Sequence, residues 1–304
     1  MSGIQVHKVP ALHGWHWLRQ GFELLKRAPM QLLLLVIVLK TLTNLLPAFG
    51  MLGLMAAKII MPALIVGFLS VVRELAPDPM YPGAARPTTT ALPGTGRTTA
   101  PPRFSLESFI GWARNRQALQ TVLLIGMLGL LIDFAALYLS DFQTVIEKMA
   151  ATVNASAGTF PADEAALEQM LAPLMRSFTV FLAITLPCYL FLWYAPVFGG
   201  LHRLPLLKSI VFSIVAVKRN LLAFLCYAIA LAILMISFGL LTQVFGQLLG
   251  GGGGAFGLQS LLLFLLIPLL LAVVGCSQWA CYLDTIGVDL HNGTSALPPS
   301  DSAD

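Results

Sequence analysis

Residues 206–241, LLKSIVFSIVAVKRNLLAFLCYAIALAILMISFGLL, decide the fold class. In the first part, Leu206, Ile210, Ile214 and Val217 fall at helical spacing on one side, while Lys208, Arg219 and Asn220 carry the polar end. From Leu221 to Leu241 no charged residue interrupts the apolar run, which matches the ~20 residues needed to cross ~30 Å of hydrocarbon. A basic amphipathic helix lying at a bilayer surface and handing over to a membrane span is therefore expected, and the chain is read as an all-α polytopic transmembrane bundle.

Composition agrees. With 57% hydrophobic and 11% charged residues, and a mean hydropathy of +0.82, the chain is too apolar for an ordinary soluble domain. The net charge of +4 would point to nucleic acid in a soluble protein, but the basic residues here cluster beside apolar spans and read as topology signals, so no nucleic-acid partner is expected. Cys188, Cys226, Cys276 and Cys281 all lie in apolar segments and form no Cys-x-x-Cys pair, which argues against both a disulfide framework and a zinc site.

Five further spans are expected at about 30–46, 51–72, 119–139, 178–198 and 258–282, making six with 221–241. The polar lead is long for a cleavable signal, so the first span is read as a retained anchor. Residues 13–27 form a second surface helix with Trp15, Leu18, Phe22 and Leu25 on one face, and Trp15 and Trp17 suited to the headgroup belt. Residues 104–118 form a third. Pro47-Ala48-Phe49-Gly50 supplies a turn, Pro62, Pro187 and Pro268 lie inside spans, and Trp193-Tyr194-Ala195-Pro196 is an aromatic interface anchor. The stretch from Ser140 to Arg176 is polar and acidic, with a small outer helix beginning near Asp163.

Pro, Thr, Gly and Arg dominate residues 76–103, a disordered linker by composition; Gly250 to Gly254 form a flexible connection, and the tail is disordered beyond about Asn292. The expected organisation is thus 1–75, interfacial helix and transmembrane hairpin; 76–103, cytoplasmic linker; 104–283, interfacial helices and four spans; and 284–304, tail. An even number of spans puts both termini on one side. The lead, the linker region and the connection between the fourth and fifth spans hold fourteen of the eighteen basic residues, so that side is expected to be cytoplasmic. Lys26-Arg27-Ala28, Arg114-Asn115-Arg116 and Lys218-Arg219-Asn220 each precede a pair of spans, a threefold repeat that duplication and a shared topology rule explain equally well.

Three ionisable residues lie well inside predicted spans. Counted at ~1.5 Å per residue from the cytoplasmic ends, Lys40 lies ~16 Å in, and Lys58 and Asp133 ~21 Å. An intramembrane charge costs ~2.5–3.5 kcal/mol on insertion scales and is a functional candidate by default. Asp133 is expected to pair with Lys58 or Lys40, with Asn44 one turn beyond Lys40; snorkelling lysines, or a transport or proton-relay role, are the other readings. Headgroup contacts are expected from Trp15, Trp17, Arg19, Lys26, Arg27, Arg114, Arg116, Lys208, Lys218 and Arg219. His13 and His16 stand at i and i+3 without Cys, Asp or Glu beside them and read as interface histidines, so no metal is assigned. Asn154-Ala-Ser156 and Asn292-Gly-Thr294 match the glycosylation pattern at chance length. No phosphate loop, dinucleotide fingerprint, nucleophile elbow or His-Glu-x-x-His is found, so neither catalytic activity nor a cofactor is expected.

Val9-Pro10-Ala11, Gly14-Trp15-x-Trp17-Leu18 and Gly21-Phe22, with Trp193-Tyr194-Ala195-Pro196, Lys208-Ser209, Ser213, Ala216, Arg219-Asn220 and the closing Ser277-Gln278-Trp279-Ala280-x-Tyr282-x-Asp284, form a distinctive set. Together they resemble a group of uncharacterised six-pass inner-membrane proteins, chiefly from beta-proteobacteria. The resemblance covers nearly the whole chain outside the linker and tail; it implies the architecture and carries no activity, substrate or cofactor. Two function classes follow from the residues. One is a structural or interaction protein gripping membrane lipids and recruiting a protein partner or a second copy of itself; the other is a transporter for a small solute or lipid, supported by Asp133, the intramembrane lysines and the span prolines.

Overall fold

The computed structural model describes residues 4–75, 106–155, 164–249 and 255–288. The linker, the Asp163 start signal, Ser156 of the first glycosylation pattern, the five glycines and the tail beyond Val288 lie outside these residues.

Strand β1 (Ile4–Val6) leads into α1 (His13–Arg27) and α2 (Pro29–Leu45). A 3-10 turn over Leu46–Phe49 then joins α2 to α3 (Gly50–Leu75). Pro29 opens α2, where its missing N–H costs nothing, and Gly50 adopts φ 72°, a conformation open to glycine, so the chain turns where the sequence says it should. Next come α4 (Leu106–Ile110), a 3-10 turn over Gly111–Arg114, and α5 (Arg116–Ser140), whose first turn is capped by Asn115 accepting from Ala118 N–H at 3.0 Å. After α6 (Phe142–Ala155) come α7 (Glu164–Phe191), α8 (Ala195–Gly200), α9 (Leu206–Arg219), α10 (Leu221–Leu249), α11 (Ala255–Thr285) and β2 (Ile286–Val288).

Among the described residues, five helical stretches are long and apolar enough to cross a membrane: Pro29–Leu75, Arg116–Ser140, Leu171–Gly200, Leu221–Phe245 and Leu266–Thr285. Two expectations change. The small outer helix and the fourth span are one continuous helix, α7, which carries Pro173 as well as Pro187; neighbouring helices and local adjustment make such prolines tolerable in membrane helices. The third surface helix is shorter than expected, because α4 and its 3-10 turn stop at Arg114 and Arg116 already opens the next span.

Contacts divide the chain into two units that interleave along the sequence. The first comprises Met1–Leu42, Ile65–Arg114 and Val215–Asp304. Within it, α1 lodges against α10 and α11. Its Gly14 sits so close to α10 that a Cβ there would stand 2.2 Å from the Ala223 carbonyl oxygen, and Gly21 approaches Ser277 of α11 in the same way. Trp17, fully buried, meets Phe224 and Tyr227 edge-on at 5.4 and 6.0 Å between ring centroids. Backbone pairing adds to this: β1 and β2 form an antiparallel ribbon with Gln5 opposite Gly287. Elsewhere in the unit, Gly67 of α3 receives the Phe109 ring, and Ser108 Oγ bonds the Glu74 carboxylate.

Among the described side chains of α10, the buried ones lie near its start. Ala223, Phe224, Tyr227 and Ala230 are buried, whereas Ile233, Ile236, Leu240 and Val244 are half to two-thirds exposed.

The second unit comprises Thr43–Leu64 and Asn115–Ile214. Its centre is α5, packed against α7 and α8, with Ile125, Leu192 and Ala195 at the core and Leu128, Ile132, Leu206 and Ile210 around them. All six residues of α8 are buried. The aromatic anchor at Trp193-Tyr194 is a correction: Tyr194 is fully buried, its ring 6.3 Å from Phe198 and its N–H donating to Ser213 Oγ at 3.0 Å. A tyrosine inside a bundle and one in a headgroup belt share the same need, an apolar body with one polar partner, so sequence does not separate them.

Candidate functional site

Asp133 is the focus of the second unit. In the second half of α5 its carboxylate is largely buried, with Lys58 Nζ of α3 donating to Oδ2 at 2.6 Å and the Tyr189 hydroxyl of α7 donating to Oδ1 at 2.8 Å. The Tyr189 oxygen also lies 3.2 Å from the Gly129 carbonyl. The local sequence explains the approach. Gly126, Gly129 and Asp133 recur at helical spacing on one face of α5, and with no side chain at Gly126 the α3 backbone comes so close that a Cβ would stand 2.1 Å from the Ile59 carbonyl oxygen. Lys58 follows from this contact, being the residue before Ile59. Its side chain is half exposed, whereas that of Asp133 is 12% exposed, so the carboxylate is the group that depends on the pair.

Lys40 and Asn44, the other members of the expected intramembrane cluster, are exposed on α2. The lysine beside Asp133 is Lys58. Tyr189 and the two glycines escaped the sequence reading; the spacing Gly126-x-x-Gly129-x-x-x-Asp133 was the signal that could have found them.

The first unit has its own carboxylate. Asp284 Oδ2, near the end of α11, lies 2.7 Å from His13 Nδ1 and accepts from Trp17 Nε1 at 2.8 Å. Asn220, between α9 and α10, works alongside it: its Oδ1 accepts from Val9 N–H at 2.8 Å, and its Nδ2 donates to the carbonyls of His7 at 2.8 Å and Ala216 at 3.0 Å. In the core of the unit, the hydroxyls of Tyr227 and Ser277 share a 2.5 Å hydrogen bond. Trp17 therefore cannot meet lipid headgroups, because its indole is enclosed and its N–H is spent on Asp284. Asn220, expected at the polar end of a surface helix, is buried and anchors the leading segment.

The remaining headgroup candidates are on the surface. Trp15 is about half exposed, and Arg19, Lys26, Arg27, Arg114, Arg116, Lys208, Lys218 and Arg219 are exposed. Two of them have acidic neighbours: Arg19 Nε lies 3.4 Å from Glu23, and Arg114 Nη1 2.5 Å from Glu107. The outward face of α1 is an open groove of about 320 Å³ lined by Trp15, Leu18, Arg19, Phe22, Glu23 and Lys26.

The face of α9 agrees with expectation in part. Leu206, Ile210 and Val217 of the expected stripe face inward, joined there by the buried Ser209, Ser213 and Ala216, whereas Ile214 is exposed; Asn220, just past the helix end, is buried too. Leu207, Val211 and Val215, left off the expected stripe, point out at 76%, 57% and 45% exposure. Small residues admit close backbone approach, and an apolar medium makes outward aliphatic side chains free of cost.

Among the described residues no three His, Cys, Asp or Glu side chains gather as metal ligands, and the four cysteines are free thiols.

Compared with known proteins, the chain is 25% identical over 306 residues to a probable inner membrane protein of Burkholderia thailandensis, an alignment spanning 97% of this chain and 98% of that one. No family model matches, and no solved structure gives a significant match. With several helices able to cross a bilayer and a relative of the same length named for the inner membrane, the chain is a helical membrane protein similar to the uncharacterised beta-proteobacterial proteins that its motifs resemble.

Proposed function

We propose that the chain is a six-pass inner-membrane bundle with both termini in the cytoplasm, serving as a structural or interaction platform at the lipid interface and not as an enzyme. The observation that carries the membrane reading is α10, whose aliphatic side chains beyond Ala230 are exposed on nearly every side. A helix apolar all round belongs in a protein core or in hydrocarbon, and one that other helices leave uncovered is suited to hydrocarbon. The six-span count is supported by the stretch Pro29–Leu75: its 47 residues would measure ~70 Å as one helix, more than twice the ~30 Å core, and the break at Leu46–Gly50 divides it into two crossings. Orientation rests on the asymmetry of Lys and Arg.

The non-catalytic reading is supported by the way the polar side chains are spent. The carboxylate of Asp133 is occupied by Lys58 and Tyr189, and that of Asp284 by Trp17 and His13, as expected of groups that hold helices together. The name of the Burkholderia thailandensis relative agrees with this location.

Reporter fusions test the topology. Alkaline phosphatase should be active when fused near Pro47, Ala155 or Gly250, and green fluorescent protein should fluoresce when fused near Arg103, Arg203 or Val288. Phosphatase activity at Arg103 or Arg203 would overturn the orientation, and equal signals on both sides of Pro47 would remove one span pair.

A further inference from the structure

We infer that α9 is a half-inserted interfacial helix whose outward face binds anionic phospholipid of the inner leaflet; this rests on the membrane reading above and names the ligand of one of its surfaces. The helix has 14 residues and so measures ~21 Å, too short to span ~30 Å of hydrocarbon. Its inward face mixes Leu206, Ile210, Ala216 and Val217 with polar groups, while its outward face is largely aliphatic. Hydroxyls and an amide are turned inward: Ser213 Oγ accepts from Tyr194 N–H, Ser209 Oγ donates to the Leu204 carbonyl at 3.2 Å, and Asn220 at its end holds His7 and Val9. Outward, Leu207, Val211, Ile214 and Val215 form one aliphatic stripe.

That stripe ends in Lys218, in line with Leu207, Val211 and Ile214 at helical spacing, and Lys208 and Arg219 stand on its shoulder, all three exposed. No acidic residue occurs on the helix. An aliphatic stripe edged by three cations and no anion complements one surface in a cell, acyl chains below a layer of phosphates. The basic side chains can run their methylene stems along the chains and place their charges at phosphate level. Because the inward face is fixed by buried hydrogen bonds, the outward face is presented in one orientation, which makes α9 a built binding surface.

The test uses the full chain in nanodiscs of phosphatidylcholine with graded phosphatidylglycerol. Native mass spectrometry of lipid retained after mild delipidation should show phosphatidylglycerol enriched over phosphatidylcholine. The K208Q/K218Q/R219Q variant should lose that preference by about fivefold per charge removed. Independently, a nitroxide at Val211→Cys, in a background with the four native cysteines replaced by alanine, should be reached by oxygen and shielded from a water-soluble nickel relaxant.

Undiminished phosphatidylglycerol preference in the triple variant, or a label at Val211 open to the aqueous relaxant, would overturn the assignment; the second result would point to a soluble protein partner on this face. Failure of the membrane reading itself would look different, as protein recovered without detergent or as inverted fusion signals.

Discussion

Asp133 and Asp284 make an instructive pair. Both are carboxylates with two neighbours at hydrogen-bond distance, at 12% and 19% side-chain exposure, and they hold different kinds of structure. Asp133 draws its partners from two other spans, one of them a cation, so three membrane helices meet at a neutralised charge. Asp284 takes an imidazole and an indole from a single helix and pins α1 into place. The difference teaches where the energy resides. In the second unit the clasp is electrostatic and centres on a carboxylate that depends on its lysine; in the first, the polar contacts orient a helix that large aromatic surfaces and close glycine contacts already hold.

The variant expected to cost most is therefore in the first unit. Trp17→Ala removes a fully buried indole together with its bond to Asp284 and should destabilise by about 3–5 kcal/mol, read as a fall in unfolding temperature in nanodiscs. Next is Lys58→Met, which leaves the buried Asp133 carboxylate with Tyr189 alone and should cost about 3 kcal/mol. Asp133→Asn should cost less, because the half-exposed Lys58 can turn away from the site once its partner is neutral. If the order of these two is reversed, the carboxylate is not the dependent member.

Gly14→Ala and Gly126→Ala sharpen the comparison, since each places a methyl group against a backbone carbonyl. Each should destabilise by about 1–3 kcal/mol, the first loosening α1 from α10 and the second parting α3 from α5, observable as faster amide hydrogen exchange in those helices. The smallest effect is expected from Tyr189→Phe, about 1 kcal/mol for one hydrogen bond to a charged acceptor that keeps its lysine. A loss as large as that of Lys58→Met would make the tyrosine an equal partner in the clasp.

Much of this architecture was legible in the sequence. The run from Leu221, the turn at Pro47–Gly50 and the charges at positions 58 and 133 stand out because each breaks or sustains an apolar pattern. What stayed hidden has a single cause. In water, the apolar side of a helix is its inward side; next to lipid the inside and the outside are both apolar, so periodicity loses its sign. Hence in α9 the expected Leu206, Ile210 and Val217 do face inward but share that face with Ser209, Ser213 and Ala216, while Ile214 faces out with Leu207, Val211 and Val215. Trp17 and Tyr194 were misplaced for the same reason, since an aromatic residue near a span end suits the interface and the core alike. Small residues at helical spacing carried the missing sign, as Gly14 and Gly21 do in α1 and Gly126 and Gly129 in α5.

Whether Asp133 and Lys58 hold the second unit together is decided by a double-mutant cycle on stability in nanodiscs with Lys58→Met, Asp133→Leu and the combination. A coupling of about 2 kcal/mol is expected, with the double variant recovering much of what Lys58→Met loses. Additive losses with no coupling would contradict it, leaving two charges adjacent in space but not bound to each other in energy.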